Sequence, residues 1–190
     1  MVGALSPNAE QIDAWNDGVG KAWVANVDAL DRQIGPIGDA AIAAAAVQPG
    51  DSVLDVGCGA GQTTFQLAPV VGPTGWALGV DISGLMIGAA AAEGRRRNVL
   101  NASFEIADAQ TAPLRRAAYD VVFSRFGVMF FQDPVAAFVN MRTALKPQGR
   151  LAFCCWRAPA ENPLMIEPAQ AAAALLPAPV GPPPDPLAPG

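Results

Sequence analysis

The stretch Val53-Leu54-Asp55-Val56-Gly57-Cys58-Gly59-Ala60-Gly61-Gln62 decides how this chain folds. Val53, Leu54 and Val56 make an apolar run too short for a helix and suited to a buried strand. Gly57, Gly59 and Gly61 would weaken a strand interior, where glycine costs conformational entropy and packs nothing. They fit a backbone that turns sharply and lets a ligand come close. Thr63-Thr64-Phe65-Gln66-Leu67 then opens a helix. Strand, glycine turn and helix N-terminus in that order form a seat for the polar part of a nucleotide-like ligand.

Toward the N-terminus, residues 7–48 read as helical. Trp15, Val19, Trp23, Val27 and Leu30 recur every three or four residues, which stripes one helix face. Two roles stay open for the tryptophans: core packing, or a cap folded over a ligand. Gly35-Pro36 is expected to break the helix. An alanine-rich helix over Asp39–Val47 follows, closed by the turn residues Gln48-Pro49-Gly50-Asp51.

Toward the C-terminus, strands and helices alternate. A helix over 62–69 leads to a strand at Trp76–Val80, and Ser83 caps a helix over 84–94. Arg95-Arg96-Arg97 reads as a solvated helix end that complements the dipole. Strands follow at Ala102–Ile106, Tyr119–Phe123 and Arg150–Trp156. Between the last two lies a helix opened by Asp133-Pro134 and closed near Lys146-Pro147-Gln148-Gly149. This order predicts an α/β fold, a Rossmann-like parallel sheet of five strands with helices on both faces. The expected division is a helical cap (1–48), a ligand-binding Rossmann-like domain (49–176) and a proline-rich extended tail (177–190).

Composition narrows the function. The chain has 190 residues and a net charge of −5, which argues against non-specific binding to nucleic acid or to an anionic membrane. It has no histidine, so imidazole chemistry is excluded. Cys58, Cys154 and Cys155 lack disulfide or metal spacing and suit a reducing cytosol; no metal site is expected. Residues 1–10 lack the features of a signal peptide, and no uncharged apolar run is long enough to span a membrane. A cytoplasmic location is expected.

In an open parallel sheet the ligand lies beyond the C-terminal ends of the strands. Asp55, Asp81 and Asp108 fall at three successive strand ends, and Ser124-Arg125-Phe126 at the fourth. Asp81 lies twenty residues past Gly61, a position suited to a carboxylate that accepts from both hydroxyls of a ribose. That alone fits a nicotinamide dinucleotide equally well. Asp55 favours another ligand, because an acid at the glycine turn repels a pyrophosphate and attracts an ammonium group. The spacing of Gly57, Gly59 and Gly61 also departs from the G-x-G-x-x-G of pyrophosphate binders. Asp108 suits an adenine amino group. An ammonium, a ribose diol and an adenine without phosphate describe S-adenosylmethionine (SAM).

Here the sequence resembles a known family. Val53 to Gly61 is similar to the first motif of the class I SAM-dependent methyltransferases, and Gly79-Val80-Asp81-Ile82-Ser83 to the next. Ala107-Asp108-Ala109 and Tyr119 to Phe126 match in order and spacing, with closest likeness to the ubiquinone/menaquinone-methyltransferase-like group acting on small molecules. By that resemblance Asp55, Gly57, Cys58 and Gly59 hold the aminoacyl part of SAM. Asp81 holds the ribose, Ile82 packs on the adenine, and Asp108 with Ala109 reads its edge. Ser124, Arg125 and Phe126 line the methyl-transfer side, with Arg125 open between a substrate contact and a structural role. The implied activity is methyl transfer to a small-molecule acceptor by in-line displacement, with no general base identifiable.

The family's sheet usually has seven strands. The resemblance therefore implies a chain lacking the last two, with an exposed sheet edge that favours self-association. Ser124-Arg125-Phe126 also differs from the Asn-Pro-Pro-aromatic motif of enzymes that methylate amide or exocyclic nitrogens. Two other readings stay open. One is an NAD(P)-dependent oxidoreductase, for which the sequence offers only Tyr119 and the lysines Lys21 and Lys146. The other is a truncated SAM-binding module without catalysis.

Overall fold

The computed structural model describes residues 7–173 and 175. Helices α1 (Ala9–Asn16), α2 (Gly18–Ala25) and α3 (Val27–Ala45) lead into strand β1 (Ser52–Val56). Then come α4 (Gln62–Val71), β2 (Trp76–Asp81), α5 (Gly84–Arg96), β3 (Ala102–Ile106) and β4 (Tyr119–Arg125). A 3₁₀ turn (Gly127–Phe130) precedes α6 (Pro134–Ala144) and β5 (Leu145–Cys154), and a second (Pro159–Glu161) precedes α7 (Pro163–Ala173). The five strands form one parallel sheet in the order β3-β2-β1-β4-β5. The predicted α/β Rossmann-like architecture is therefore the one observed.

The sheet is covered on both faces because its central strands are apolar at successive positions, odd and even alike. Val53, Val121 and Phe123 point to one side and pack with Leu67 and Val71 of α4 and Ala41 and Ala45 of α3. Leu54, Val56 and Val122 point to the other side, against Ala137, Met141 and Ala144 of α6. The alternation of strand side chains thus builds two cores from one run of valines and leucines. Since α3 contributes to the first core, the helical segment is not a separate layer over its whole length.

Three expectations about elements need correction. The tryptophan-bearing segment is two short helices and the start of a third, with breaks at Asp17 and Asn26. Val19, at 49% exposure, lies off any shared apolar face. Gly35-Pro36 does not break α3, which runs through it. Proline removes one backbone donor, but burial of Ile34, Gly35, Gly38, Ala41 and Ala45 on both sides of it holds the helix together. The α3 C-terminus is tied down by Arg150, whose Nε donates to the Ala45 carbonyl and Nη2 to that of Ala46, both at 2.7 Å. Finally, β5 begins at Leu145, directly after α6, and takes in the Lys146–Gly149 turn as an irregularity in its pairing with β4. Gln148 there has a φ of 66°.

Ser83 does cap α5, its Oγ accepting from the Met86 N–H at 3.2 Å. Asp133 caps α6 through Ala136 at 2.9 Å. Arg96 and Arg97 pair with Glu93 at the exposed end of α5. No helix among the described residues is long and apolar enough to cross a membrane. The expectation of an extended tail over 177–190 lies outside the described residues.

Candidate functional site

The chain builds the sheet outward from β1 in one direction to β3, then restarts beside β1 with β4. Loops leaving β1 and β4 therefore diverge and open a crevice at the strands' C-terminal ends. A cavity of about 350 Å³ occupies that crevice, within the usual size for a small-ligand site.

Its floor is the glycine turn. Gly57 has a φ of 67°, and a Cβ there would sit 2.6 Å from the Cα of Gly127. The loops after β1 and β4 can touch backbone to backbone only because both residues are glycine. Gly59, with a φ of 56°, has nothing within 4 Å of where its Cβ would be. Its open side belongs to the cavity wall. The turn thus needs one glycine for packing and one that leaves room for a ligand.

Asp81 ends β2 and lines the cavity. Its Oδ2 accepts from the Gly59 N–H and its Oδ1 from the Ser83 N–H, each at 2.9 Å. The carboxylate so couples the glycine turn to the start of α5. Burial pushes its pKa up, opposed by those backbone donors. Asp108, beyond β3, also lines the cavity. Its Oδ2 accepts from Asn8 Nδ2 at 2.9 Å and from the Thr111 hydroxyl at 3.1 Å, and its Oδ1 from the Gln110 N–H.

Gly57, Cys58, Gly59, Ile82, Ala109 and Arg125 complete the set of expected residues on the wall. Arg125 donates from Nη1 to Asp31 Oδ1 at 2.8 Å, pinning α3 to the end of β4. Gly38 makes room for it, since a Cβ there would lie 2.9 Å from Arg125 Cδ. The Cys58 thiol is held protonated by burial and by the negative charges of Asp55 and Asp81.

Asp55 and Ser124 were expected at the site and do not line it. Ser124 is fully buried, its Oγ donating to the Val56 carbonyl at 2.7 Å, because at its strand position the side chain turns into the sheet junction. Asp55 lies fully buried beneath the glycine turn. Its Oδ2 accepts from the hydroxyls of Thr63 and Thr64, both at 2.7 Å, while its Oδ1 has no partner. Burial is the main reason that its pKa rises to about 6.

The tryptophan segment folds over the mouth. Trp15 meets Trp23 edge-on at 5.6 Å and Phe130 at 5.4 Å, and both tryptophans line the cavity. Of the two roles left open for them, the cap describes their position. Ser83 Oγ donates to the Trp15 carbonyl at 2.7 Å, and the Gly84 N–H to Asn16 Oδ1 at 2.9 Å. Asn8, 5% exposed, bonds Asp108 and also accepts at Oδ1 from the Gln132 N–H at 2.7 Å. Nothing local in the sequence marks Asn8, because its partners are distant in the chain. Phe130 and Phe131 also line the wall, as do Met129 and Trp156. The run Val128-Met129-Phe130-Phe131 was visible as an apolar segment just past a strand end, but apolarity alone does not separate core from pocket.

Fold and cavity together define a doubly wound α/β domain with an acid-lined cavity at its switch point. The family profile described as "Methyltransferase domain" matches residues 48–178, and the chain belongs to that family. It is 36% identical over 104 residues to an aklanonic acid methyltransferase of Streptomyces sp. (strain C5), covering 55% of this chain and 47% of that protein. It is 34% identical over 122 residues to a ubiquinone/menaquinone biosynthesis C-methyltransferase of Ectopseudomonas mendocina, covering 64% and 47%. A SAM-dependent methyltransferase from Aquifex aeolicus shares the fold with a TM-score of 0.60 at 22% identity, over 70% of this chain and 78% of that one. The chain spans about half or less of the length of curated relatives that it matches.

Proposed function

We propose that this chain binds SAM and transfers its methyl group to a small-molecule acceptor. One observation carries the reading: the charge of the cavity wall. Among the described residues the carboxylates facing it are Asp81 and Asp108, and the one cation there, Arg125, is paired with Asp31. Such a wall attracts a cationic, phosphate-free ligand and repels a pyrophosphate. The open side of Gly59 supplies backbone room for the ligand's aminoacyl end, and Asp55 adds negative charge from below. Asp81 is assigned to the ribose hydroxyls, Ile82 to the adenine face, and Asp108 with Ala109 to the adenine edge. The bound sulfonium supplies an already activated methyl group, so the protein's task is alignment.

The oxidoreductase reading loses support. Tyr119 is buried within β4, its pKa raised mainly by desolvation, and neither it nor Lys21 or Lys146 reaches the wall. Three free thiols suit a cytoplasmic setting. Among the described residues β5 pairs only with β4, and its Leu151 and Phe153 are 37% and 45% exposed. That free edge favours self-association, which light scattering would reveal as a dimer.

Calorimetric titration with SAM, S-adenosylhomocysteine and NADH tests the function. The two adenosyl ligands are expected to bind and NADH not to. Hydrogen bonds to a charged group contribute about 1.5–3 kcal/mol, so Asp81→Ala should weaken SAM binding by about tenfold or more. Unchanged affinity would remove Asp81 from the site. Label transfer from methyl-labelled SAM into a metabolite extract separates a transferase from a module that only binds.

A further inference from the structure

Helix α6 is apolar on two sides. Its inner face, Ala137, Met141 and Ala144, is fully buried against the sheet. An outer face that met only water would be polar. Instead Val135 and Val139 stand there, 74% and 58% exposed. Val135, Val139 and Arg142 follow at i, i+4 and i+7 and so form one stripe along the helix. Pro134 and Phe138 flank the stripe, and the five residues line a shallow groove of about 390 Å³. Phe138 meets Phe153 of β5 at 5.6 Å, ring edge to ring face. The apolar surface therefore runs on from α6 to the flank of β5. A continuous exposed patch of this kind marks an interaction surface.

The charges at the two ends of the stripe say which partner fits. Asp133 stands at the N-terminus, and its carboxylate's one hydrogen bond among the described residues is to the Ala136 N–H. Arg142 stands in the last turn, exposed and without an ion pair among the described residues. Two α6 helices laid antiparallel bring Asp133 of each beside Arg142 of the other, and Val135 beside Val139. Both pairings centre at the level of Ala137 and Phe138. A two-fold contact requires such a shared centre, because the same surface must complement itself. A surface shaped for a different partner is under no such constraint. Each copy has a net charge of −5, yet no carboxylate lines the groove, so two copies can close here without setting like charges face to face.

We propose that this chain forms a two-fold dimer through the outer face of α6, with the valine stripes packed antiparallel and an Asp133–Arg142 pair at each end. The proposal rests on the self-association reading and moves the contact from the open edge of β5 to the α6 face beside it. Eleven helical residues bury less than the roughly 1,200–2,000 Å² of a standard interface, so the dimer is weak, with a Kd of about micromolar or above. The contact also reaches the site's surroundings. Asp133 follows Gln132, whose N–H holds Asn8 of the cap, and its own N–H donates to Gln110 at 3.0 Å. The second copy's Arg142 thus meets the loop that anchors the cap.

Sedimentation velocity of the full chain tests this from about 2 to 200 μM, a range that brackets micromolar dissociation constants. Reducing conditions keep the exposed Cys155 from linking chains. The wild type should show a dimer that fills with concentration. Val139→Asp sets a charge in the stripe and should weaken the dimer about a hundredfold. Val139 faces solvent, so the variant's melting temperature should hold within a few degrees. Asp133→Asn keeps the helix cap. It and Arg142→Gln should each weaken the dimer about fivefold, because the dimer holds two such ion pairs. The variant carrying both should be no weaker than either alone, and Arg142→Lys should retain most of the affinity. Additive losses in the double variant, or a dimer untouched by Val139→Asp, would overturn the proposal while leaving self-association through the β5 edge standing. A monomer at the highest concentration would overturn both.

Discussion

Replacing Asp55 by Asn should flatten the dependence of stability on pH. Asp55 is fully buried, one oxygen shared by two threonine hydroxyls and the other without a partner. Its pKa moves from an ordinary 3.8 to about 6. A displacement of that size corresponds to about 3 kcal/mol. Because the folded-state pKa is the higher one, the stabilisation is fully present below 3.8 and is lost as pH rises through about 6. Between about pH 4.5 and 7.5 the wild type should therefore lose about 2 kcal/mol relative to Asp55→Asn. At the upper end the variant no longer buries a charge. It retains an acceptor for both threonines but gains an unpaired amide donor, which costs about 1–3 kcal/mol, so the two proteins should then be of similar stability. Urea unfolding of both proteins across this range gives the difference directly and cancels the other carboxylates. Parallel stability curves would refute the reasoning, since they would mean that Asp55 titrates alike in the folded and unfolded chains.

Other outcomes follow from the same geometry. Gly57→Ala forces a Cβ to 2.6 Å from backbone at Gly127, so thermal unfolding should show a loss of several kcal/mol. Gly59→Ala meets no atom within 4 Å and should cost only about 1–2 kcal/mol of stability, yet weaken SAM binding more than tenfold by filling the ligand's space. Ser124→Ala should cost about 1 kcal/mol by leaving the Val56 carbonyl unpaired, with SAM affinity within about twofold; a tenfold loss would return Ser124 to the site. Asn8→Ala removes the bonds to Asp108 and Gln132 and should accelerate amide exchange in α1 by about tenfold, while exchange in β1 stays slow.

What the sequence determined by itself was the frame. Short apolar runs separated by glycine turns and capped helices specify parallel strands with crossovers, because periodicity and turn chemistry are local. Connection rules then fix where the strand ends gather, which puts Asp81, Asp108 and the glycine turn at one crevice. Asp55 and Ser124 show where local reading stops. Each sits at the end of a strand, but whether it faces a cavity or a neighbouring element depends on what packs there. For Asp55 that is a pair of threonines on α4, and for Ser124 the backbone of β1.

Only the tertiary structure decided the rest. Pro36 sits inside a continuous helix because long-range burial outweighs one lost hydrogen bond. Asn8 reaches Asp108 across most of the domain, and Phe126 meets Trp156 through the pairing of two strands that are far apart in the chain. Arg125 acquires a partner in Asp31 that no spacing announces. Local chemistry selects turns, caps and strands; the shape and charge of the cavity arise from contacts between residues whose separation in sequence carries no signal of their meeting.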